Sequence, residues 1–478
     1  MRYVTIRSWD EEVRASGCLD RPAVVRAGEL YSYGDLLDRV ESRSRELRNL
    51  GLREGSVVAL TLERPIDVYA TYLAVLSSKA IVCPIPKSMP AERRRIILEE
   101  LGADFIACPG RISRVGNDRA NSQPHWTRQY PESSVGGYVI FTSGSTGRPK
   151  GVFIPTSALE VFLKEVRGTI SAHPGDRWLQ HIDIGFDLSI VEIFTALTTF
   201  GALVPVRGYA EKTRWTNIVE SFAVNHIAIV PSQLSCLAQS RCSGELSEVK
   251  SLMFCGEPLY GHHVQSAARL MPNASLFNCY GPTEATVWVA ASQLDRHQWV
   301  NEPGHKPVPV SGFYRSTVVI LEPAEDDLVH LKLSGPQLAA GYLHPSKDSN
   351  FSITEHAEKI YATGDMFHRY GSSLEFACRH DRQVKINGVR IELGEVDAVI
   401  STYYGVPASC CVHDGRVIAW VELALSDARA VYDSHVKVYV GRFLRNAEVP
   451  SDVYFLSLLP RLPSGKIDIN ALFSSMEN

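Results

Sequence analysis

Between Gly137 and Gly151 the chain reads Gly-Tyr-Val-Ile-Phe-Thr-Ser-Gly-Ser-Thr-Gly-Arg-Pro-Lys-Gly, an apolar strand running directly into a loop of threonine, serine and glycine and then into a lysine. Each residue type in that loop suits an anion. Glycines let successive backbone N–H groups converge, hydroxyls add donors, and the lysine brings positive charge. The segment is a phosphate cradle by its chemistry. It lacks the Gly-x4-Gly-Lys-Ser/Thr spacing of the commoner nucleotide loop. A flexible surface turn has no need of so many hydroxyls and glycines straight after a buried strand.

Such a loop works only if secondary structure holds it. The stretch Val57 to Leu62 reads as a strand, Asp67 to Ser77 as a helix, Ile81 to Ile85 as an apolar strand, Ala91 to Leu101 as a helix and Asp104 to Ala107 as a strand. Strand and helix alternating at this spacing predict helices packed on a sheet. Residues 110–134, rich in Arg, Asn, Ser and Pro, read as a surface excursion. Alternation resumes at Gly137 and continues to about Phe376, and beyond Asp381 the pattern is that of a compact α+β unit. At 478 residues the chain exceeds what one core organises. The expected organisation is a large α/β domain over residues 1–380 and a small α+β domain over 381–478.

Composition narrows the function classes. Hydrophobic residues at 45% and charged residues at 21% are those of a folded globule, and a net charge of -4 leaves no basic excess for a nucleic-acid polymer. The run Arg93-Arg94-Arg95 reads as a solvated helix face. No apolar run is long enough to span a bilayer and the start shows no secretory pattern, so a cytoplasmic address without membrane contact is expected. Ten cysteines, scattered through apolar stretches, read as reduced thiols, and the adjacent Cys410-Cys411 lacks zinc-ligand spacing.

The loop Thr142-Ser-Gly-Ser-Thr-Gly-Arg-Pro-Lys-Gly151 resembles the signature of the adenylate-forming superfamily, which includes nonribosomal peptide synthetase adenylation domains, acyl-CoA ligases and luciferase. Further motifs fall in that family's order: Tyr31 to Leu36, Phe186-Asp-Leu-Ser189, Asn278-Cys-Tyr-Gly-Pro-Thr-Glu284, Gly335 to Leu343, Tyr361-Ala-Thr-Gly-Asp365, Arg379 to Lys385 continuing through Gly394-Glu395, and Gly465-Lys-Ile-Asp468. They cover almost the whole chain. The resemblance implies the adenylate-forming fold, a large multi-sheet α/β domain with a small mobile C-terminal domain. It also implies a reaction in which a carboxylate attacks the α-phosphorus of ATP and pyrophosphate leaves. Catalysis of that step is mostly positioning and charge neutralisation.

The same resemblance assigns roles. Lys466 is the expected catalytic lysine, a compact ammonium able to touch carboxylate and α-phosphate together. Glu284 corresponds to the Mg²⁺-binding glutamate. Thr142, Ser143, Gly144, Ser145, Thr146, Gly147 and Lys150 would hold phosphates, Tyr280, Gly281 and Thr283 would line the nucleotide site, and Asp365 with Arg379 would take the ribose hydroxyls. Asp381 matches the hinge at the domain junction. Gly388 would leave room beside the path of a pantetheine arm.

Asp187 precedes a helical stretch, Ile190 to Leu197, where an acid is ordinarily an N-cap. The resemblance instead pairs it with a substrate α-ammonium, the feature that separates amino-acid-activating members from acyl-CoA ligases. By motif alignment the side-chain pocket would comprise Leu188, Val191, Ile229, Met253, Cys255, Gly256, Cys279, Val287 and Trp288, closed by Lys466. Nothing in that set pairs a charged side chain, and the Trp288 indole leaves space only for a small substituent. Alanine is favoured, with glycine, serine or cysteine possible, since Phe186 to Ser189, Phe254-Cys-Gly-Glu257 and Tyr280 to Val287 resemble the D-alanine carrier-protein ligases.

Three features depart from the family pattern: Cys378 in place of a glycine, a missing glycine in Ser77 to Pro84, and a short interval between Asp397 and Lys466. The chain ends soon after Lys466, so the expected acceptor is the phosphopantetheine thiol of a separate carrier protein. The competing readings are a CoA ligase for a small carboxylic acid and a catalytically silent nucleotide-binding module.

Overall fold

A computed structural model describes residues 4–115, 125–130, 136–144, 148–208, 211, 215–234, 245–325, 327–344, 350–423, 435–461 and 467–476. The chain packs as two compact units, one formed by Met1–Lys87, Leu101–Ile140 and Gly151–Cys378, the other by Ser88–Glu100, Phe141–Lys150 and Arg379–Asn478. The division therefore falls just ahead of Asp381, and two short earlier segments group with the C-terminal one.

The first unit is built on three sheets. An eight-stranded sheet runs in the order Ala290–Gln293, Ser275–Tyr280, Ser251–Phe254, His226–Ile229, Arg177–Gln180, Ala202–Pro205, Pro22–Arg26 and Glu29–Ser32. Its interior pairings are parallel and its two edge pairings antiparallel. Side chains alternate across it. Leu203, Ala228, Met253 and Phe277 join one apolar cluster, while Val204, Ile227, Leu252 and Leu276 join another, as the two-residue period of a strand requires. The seven-stranded sheet has central strands Val57–Leu60 and Ile81–Pro84 buried along their whole length, which accounts for their unbroken apolar sequence.

Local signals agree with this packing. The helix Pro65–Ser77 opens on proline, whose missing N–H is harmless in a first turn, and is buried on nearly every side. The helix Tyr33–Asn49 is capped reciprocally: Ser32 Oγ accepts from the Asp35 N–H at 3.1 Å, and Asp35 accepts from the Ser32 N–H at 2.8 Å. The Tyr31 to Leu36 motif is thus a helix start.

Three expectations need correcting. Within 110–134, Arg111–Arg114 is a strand paired antiparallel to Phe105–Cys108, with Ile112 buried, and Trp126 is buried with its indole N–H donated to the Leu101 carbonyl at 2.8 Å. An edge strand with a single inward residue carries too little apolar pattern to be read as one. Helix–strand alternation does not persist to Phe376. From Val318 onward the unit is an antiparallel sheet of Val318–Pro323, Leu328–Ser334, Phe351–Ile353, Lys359–Tyr370 and Ser373–Arg379. Finally, Arg93 is not solvated. It is buried with Ile97 one turn on, and its guanidinium lies 2.9 Å from Glu395 and 3.7 Å from Glu448, whereas Arg95 does face solvent, paired with Glu92 and Glu99. A run of like charges on a helix spans several faces, and one of them points inward.

In the second unit the hairpin Gln383–Ile386 and Val389–Glu392 leads into the helix Leu393–Tyr404, and a three-stranded sheet pairs Ala408–His413, Arg416–Glu422 and Asp452–Leu456. Among the described residues no helix is long and apolar enough to cross a membrane, no group of three or more His, Cys, Asp or Glu is placed to hold a metal, and the cysteines are free thiols.

Candidate active site

The motif residues of the first unit gather at the carboxyl ends of the parallel strands, where open α/β sheets place their ligands. After Ser275–Tyr280 the chain turns sharply. A Cβ on Gly281 would lie 2.3 Å from Trp288 Cα, so the loop closes on itself only because that residue is glycine. Thr286 and Val287 both take left-handed backbone, with φ of 58° and 69°. β-Branched residues seldom do so, and such conformations persist where surrounding structure imposes them. Here the clamp is the segment from Gly335 onward. Thr286 Oγ donates to the Gln337 carbonyl at 2.6 Å, the Gln337 amide donates to the carbonyls of Ala285 and Trp288 at 3.1 and 2.8 Å, and the Ala339 N–H donates to the Glu284 carbonyl at 2.8 Å.

Three acids from different parts of the chain meet hydroxyl partners around that loop. Tyr280 donates its phenol to Asp365 at 2.5 Å, Thr283 donates to Asp187 at 2.5 Å, and Tyr342 donates to the fully buried Glu284 carboxylate at 2.8 Å. Asp365 lies on the strand Lys359–Tyr370. Motifs spread from Asp187 to Asp365 thus meet in one place.

Asp187 is not a working N-cap. It has helical backbone angles and its side chain bonds no helix N–H. The helix it heads is irregular: an α turn, Leu188–Ile190, passes into a π turn, Val191–Thr195, and back into an α turn, Ala196–Thr198. Single π turns inside helices are rare and recur at functional sites.

Leu188, Val191, Met253, Cys255, Cys279, Val287 and Trp288 fall in one apolar cluster, and Gly256 beside them has a φ of 97°. Ile229 does not belong with them. It pairs in register with Phe254 and shares that residue's cluster on the other face of the sheet, whereas Val230 lies on the Cys255 side, 3.1 Å from where a Gly256 Cβ would stand. A one-residue step along a strand exchanges faces. The Trp288 indole is fully buried, donates to the Tyr314 hydroxyl at 2.6 Å and meets the Phe162 ring edge-on at 5.4 Å. Burial, with the Cys255 thiol beside it, pushes the Cys279 thiol well up, so it is an inert apolar wall rather than a nucleophile.

The second unit carries the remaining residues. Thr142 Oγ reaches the Lys150 carbonyl at 3.4 Å, Ser143 Oγ donates to the Arg390 carbonyl at 2.7 Å, and the Gly144 N–H donates to Glu395 at 3.3 Å. A Cβ on Gly144 would sit 1.9 Å from the Arg148 carbonyl oxygen, which makes glycine obligatory there. Arg379 grips Asp381 with two parallel bonds of 2.8 and 2.9 Å. Burial works to raise the Asp381 pKa, but the Arg379 fork outweighs it and holds the carboxylate below its ordinary range. Gly388 follows Asn387 at the tip of the 383–392 hairpin, both with positive φ, the turn that an Asn-Gly pair favours. Ser145, Thr146, Gly147 and Lys466 lie outside the described residues.

Sequence reasoning missed several participants. Gln337, Tyr342, Tyr314 and Val230 gave no signal of their own. Glu192 did, since it is a lone acid in the apolar run Ile190-Val-Glu-Ile-Phe-Thr-Ala-Leu197, and it is fully buried against His181.

Comparison with known proteins places this geometry. Residues 11–343 match the AMP-binding enzyme family. The chain is 30% identical to a dimodular nonribosomal peptide synthase of Bacillus subtilis (strain 168), over 92% of its own length but only 20% of that relative's, and 28% identical to the zwittermicin A synthase ZmaJ of Bacillus cereus, over 95% of this chain and 92% of ZmaJ. Its fold matches that of the Vibrio cholerae adenylation domain AlmE, solved in complex with glycyl-adenosine-5'-phosphate, with a TM-score of 0.81 at 21% identity, over 100% of this chain and 98% of that one. With the motif order, the sheets and the family match in agreement, the protein belongs to the AMP-binding enzyme family, as an adenylate-forming domain of the nonribosomal peptide synthetase type.

Proposed function

We propose that the chain activates a small amino acid, alanine first, with glycine, serine or cysteine as near competitors, and passes it to the phosphopantetheine thiol of a separate carrier protein. The observation that carries this reading is Asp187, a carboxylate held by Thr283 at the head of the π-turned helix, beside an apolar cluster that ends in the fixed Trp288 indole. A carboxylate there pairs an α-ammonium, and the cluster offers a substrate side chain no charged partner. The glycyl adenylate bound by AlmE supports a small substituent. Discrimination among small side chains is weak, because one methyl is worth about 1–3 kcal/mol and an added hydroxyl is hard to reject.

In the first half-reaction the substrate carboxylate forms a bond to the α-phosphorus of ATP while the bond to pyrophosphate breaks. Asp187 orients the amine, Asp365 and Tyr280 hold the ribose end, the Thr142 to Lys150 loop takes the phosphates, and Lys466 offsets the charge that builds up at phosphorus. Glu284 suits Mg²⁺, being a buried hard-oxygen donor whose hydroxyl partner Tyr342 fixes its orientation. Bound there, the ion would neutralise phosphate charge. In the second half-reaction the pantetheine thiolate attacks the acyl carbon and AMP leaves.

Amino-acid-dependent ATP–pyrophosphate exchange, run over all amino acids and both enantiomers, tests the reading. Exchange is expected to be strongest with alanine or another of the small four. Exchange driven by a simple carboxylic acid, or by no amino acid, overturns it.

A further inference from the structure

The carboxylate of Glu192 is fully buried inside the π turn Val191–Thr195. It faces the carboxyl end of the central strand Arg177–Gln180, and donors from three consecutive residues converge on it. One oxygen lies 2.9 Å from His181 Nδ1 and accepts from the His181 N–H at 3.4 Å. The other accepts from the Ile182 N–H at 3.2 Å and from the Gln180 amide at 3.4 Å. The side chains of Gln180 and His181 are themselves held: Gln180 accepts from the Tyr69 phenol at 3.1 Å, and His181 Nε2 lies 3.4 Å from the Gln233 side-chain oxygen, with its ring 5.5 Å from that of Trp215.

An apolar side chain of similar volume would pack such a position at least as stably, since buried ionic pairs seldom add net stability over hydrophobic replacements. What the carboxylate adds is direction. An α-helix has one hydrogen-bonding register, whereas a π turn must be held in place, and Glu192 ties this one to the strand end by both oxygens. Val191 is its neighbour in the chain, and Asp187 lies just over one turn before it, at the head of the same helical stretch.

We propose that Glu192 and His181 are positioning residues for amino-acid recognition: they fix the π turn so that Val191 and Asp187 address the substrate side chain and amine together. This rests on the reading of Asp187 and Val191 as substrate contacts. Neither Glu192 nor His181 touches the substrate, so the effect is on amino-acid affinity and leaves nucleotide binding alone.

Glu192→Gln keeps the volume and one acceptor but removes the charge and the second acceptor. In pyrophosphate exchange the KM for the amino acid is expected to rise about tenfold, with kcat within about threefold and the KM for ATP unchanged. His181→Gln should act in the same direction but less, and the double variant should be no worse than Glu192→Gln, because the two residues act through one contact. If Glu192→Gln gives no soluble protein, His181→Gln carries the test, because it leaves the backbone donors to Glu192 in place. An unchanged amino-acid KM, or an ATP KM that rises in step with it, overturns the inference. Asp187→Ala separates this failure from the other: if it leaves the amino-acid KM unmoved, the substrate reading itself falls, whereas if it raises that KM while the Glu192 and His181 variants do not, only the positioning role is lost.

Discussion

The short strand Arg177–Gln180 carries an acid–histidine pair at each end, and the two pairs behave oppositely. At its amino end Asp176 accepts from His226 Nε2 at 3.0 Å, from the Lys250 ammonium at 2.6 Å and from the His173 N–H at 2.8 Å. His226 Nδ1 lies 2.6 Å from Ser251 Oγ, and its ring stacks on Trp178 at 4.4 Å. The Ser–His–Asp sequence resembles a hydrolytic triad, but the imidazole is turned round. Its Nδ1 meets the serine and its Nε2 the acid, the reverse of the arrangement that activates a serine. The group also lies at the amino ends of the strands, away from where such sheets place ligands. At the carboxyl end, Glu192 and His181 join the helix that begins at Asp187.

Electrostatics separates the two further. Burial works to raise the Asp176 pKa, but hydrogen bonds from His226 and Lys250 outweigh it and hold the acid far below its ordinary range. At Glu192 burial dominates, pushing its pKa up despite His181. One end of the strand is saturated with charge and serves to hold the sheet. The other holds a buried carboxylate that ties the helix beginning at Asp187 to the strand end. The same residue types therefore do different work according to which strand end they occupy.

The comparison can be broken most decisively at the carboxyl end. Asp187→Ala is expected to lower kcat/KM for the amino acid by about 10²-fold with only a small loss of thermal stability, about 1 kcal/mol, since besides the proposed substrate partner it removes the acceptor of the Thr283 hydroxyl. Steady-state kinetics with a melting curve on the same sample reads both quantities. Asp176→Ala should do the reverse, destabilising the fold by about 2–3 kcal/mol in urea unfolding, because it strips a buried imidazole of its partner. The KM values of its folded fraction should match those of the parent, and a raised amino-acid KM would erase the distinction between the two ends.

The smallest expected effect is in the pH dependence of stability. Burial lowers the His226 pKa despite Asp176, so in the folded chain the ring stays neutral where an unfolded imidazole has already protonated. Its contribution is whole above about pH 6.5 and is lost as pH falls below that value. Asp176, also depressed, holds its contribution down to more acid pH and loses it only as pH falls through its folded value. Glu192 is raised, so its contribution is whole below about pH 4.3 and is lost as pH rises through the folded value. Melting temperature should therefore fall between pH 7 and pH 5. The fall should be shallower in His226→Gln, which removes the titrating ring, and steeper in Glu192→Gln, which removes the opposing group. Parallel curves for all three proteins would show that neither group titrates in this range.

How far the sequence foretold this depends on whether a signal is local. The strands near Val57 and Ile81 are legible because their apolar runs are unbroken, and the helix Ala91–Leu101 because it is built of strong helix formers. The phosphate loop and the acidic positions Asp187, Glu284 and Asp365 are legible because their residue types sit in ordered motifs. What escaped depends on neighbours distant in the chain. Arg93 is buried because Glu395 and Glu448 are there to receive it, and Ile229 lies on the face opposite Met253, which escaped because a motif alignment does not fix which face of a strand a residue occupies. The Glu192 network needs the knowledge that one helix crosses one strand end, and no spacing within either element encodes that.

The left-handed pair Thr286 and Val287 bears on how such a protein changes over time. Each position forgoes about 1–2 kcal/mol relative to a relaxed backbone. A glycine at Val287 would recover part of that sum, and a screen that rewards heat resistance alone would favour it. The recovered energy would come from releasing the peptide that aims Trp288. Where Trp288 bounds the amino-acid pocket, as proposed, selection for toughness would widen the diet of the enzyme, and selection for a narrow diet would keep the backbone bent.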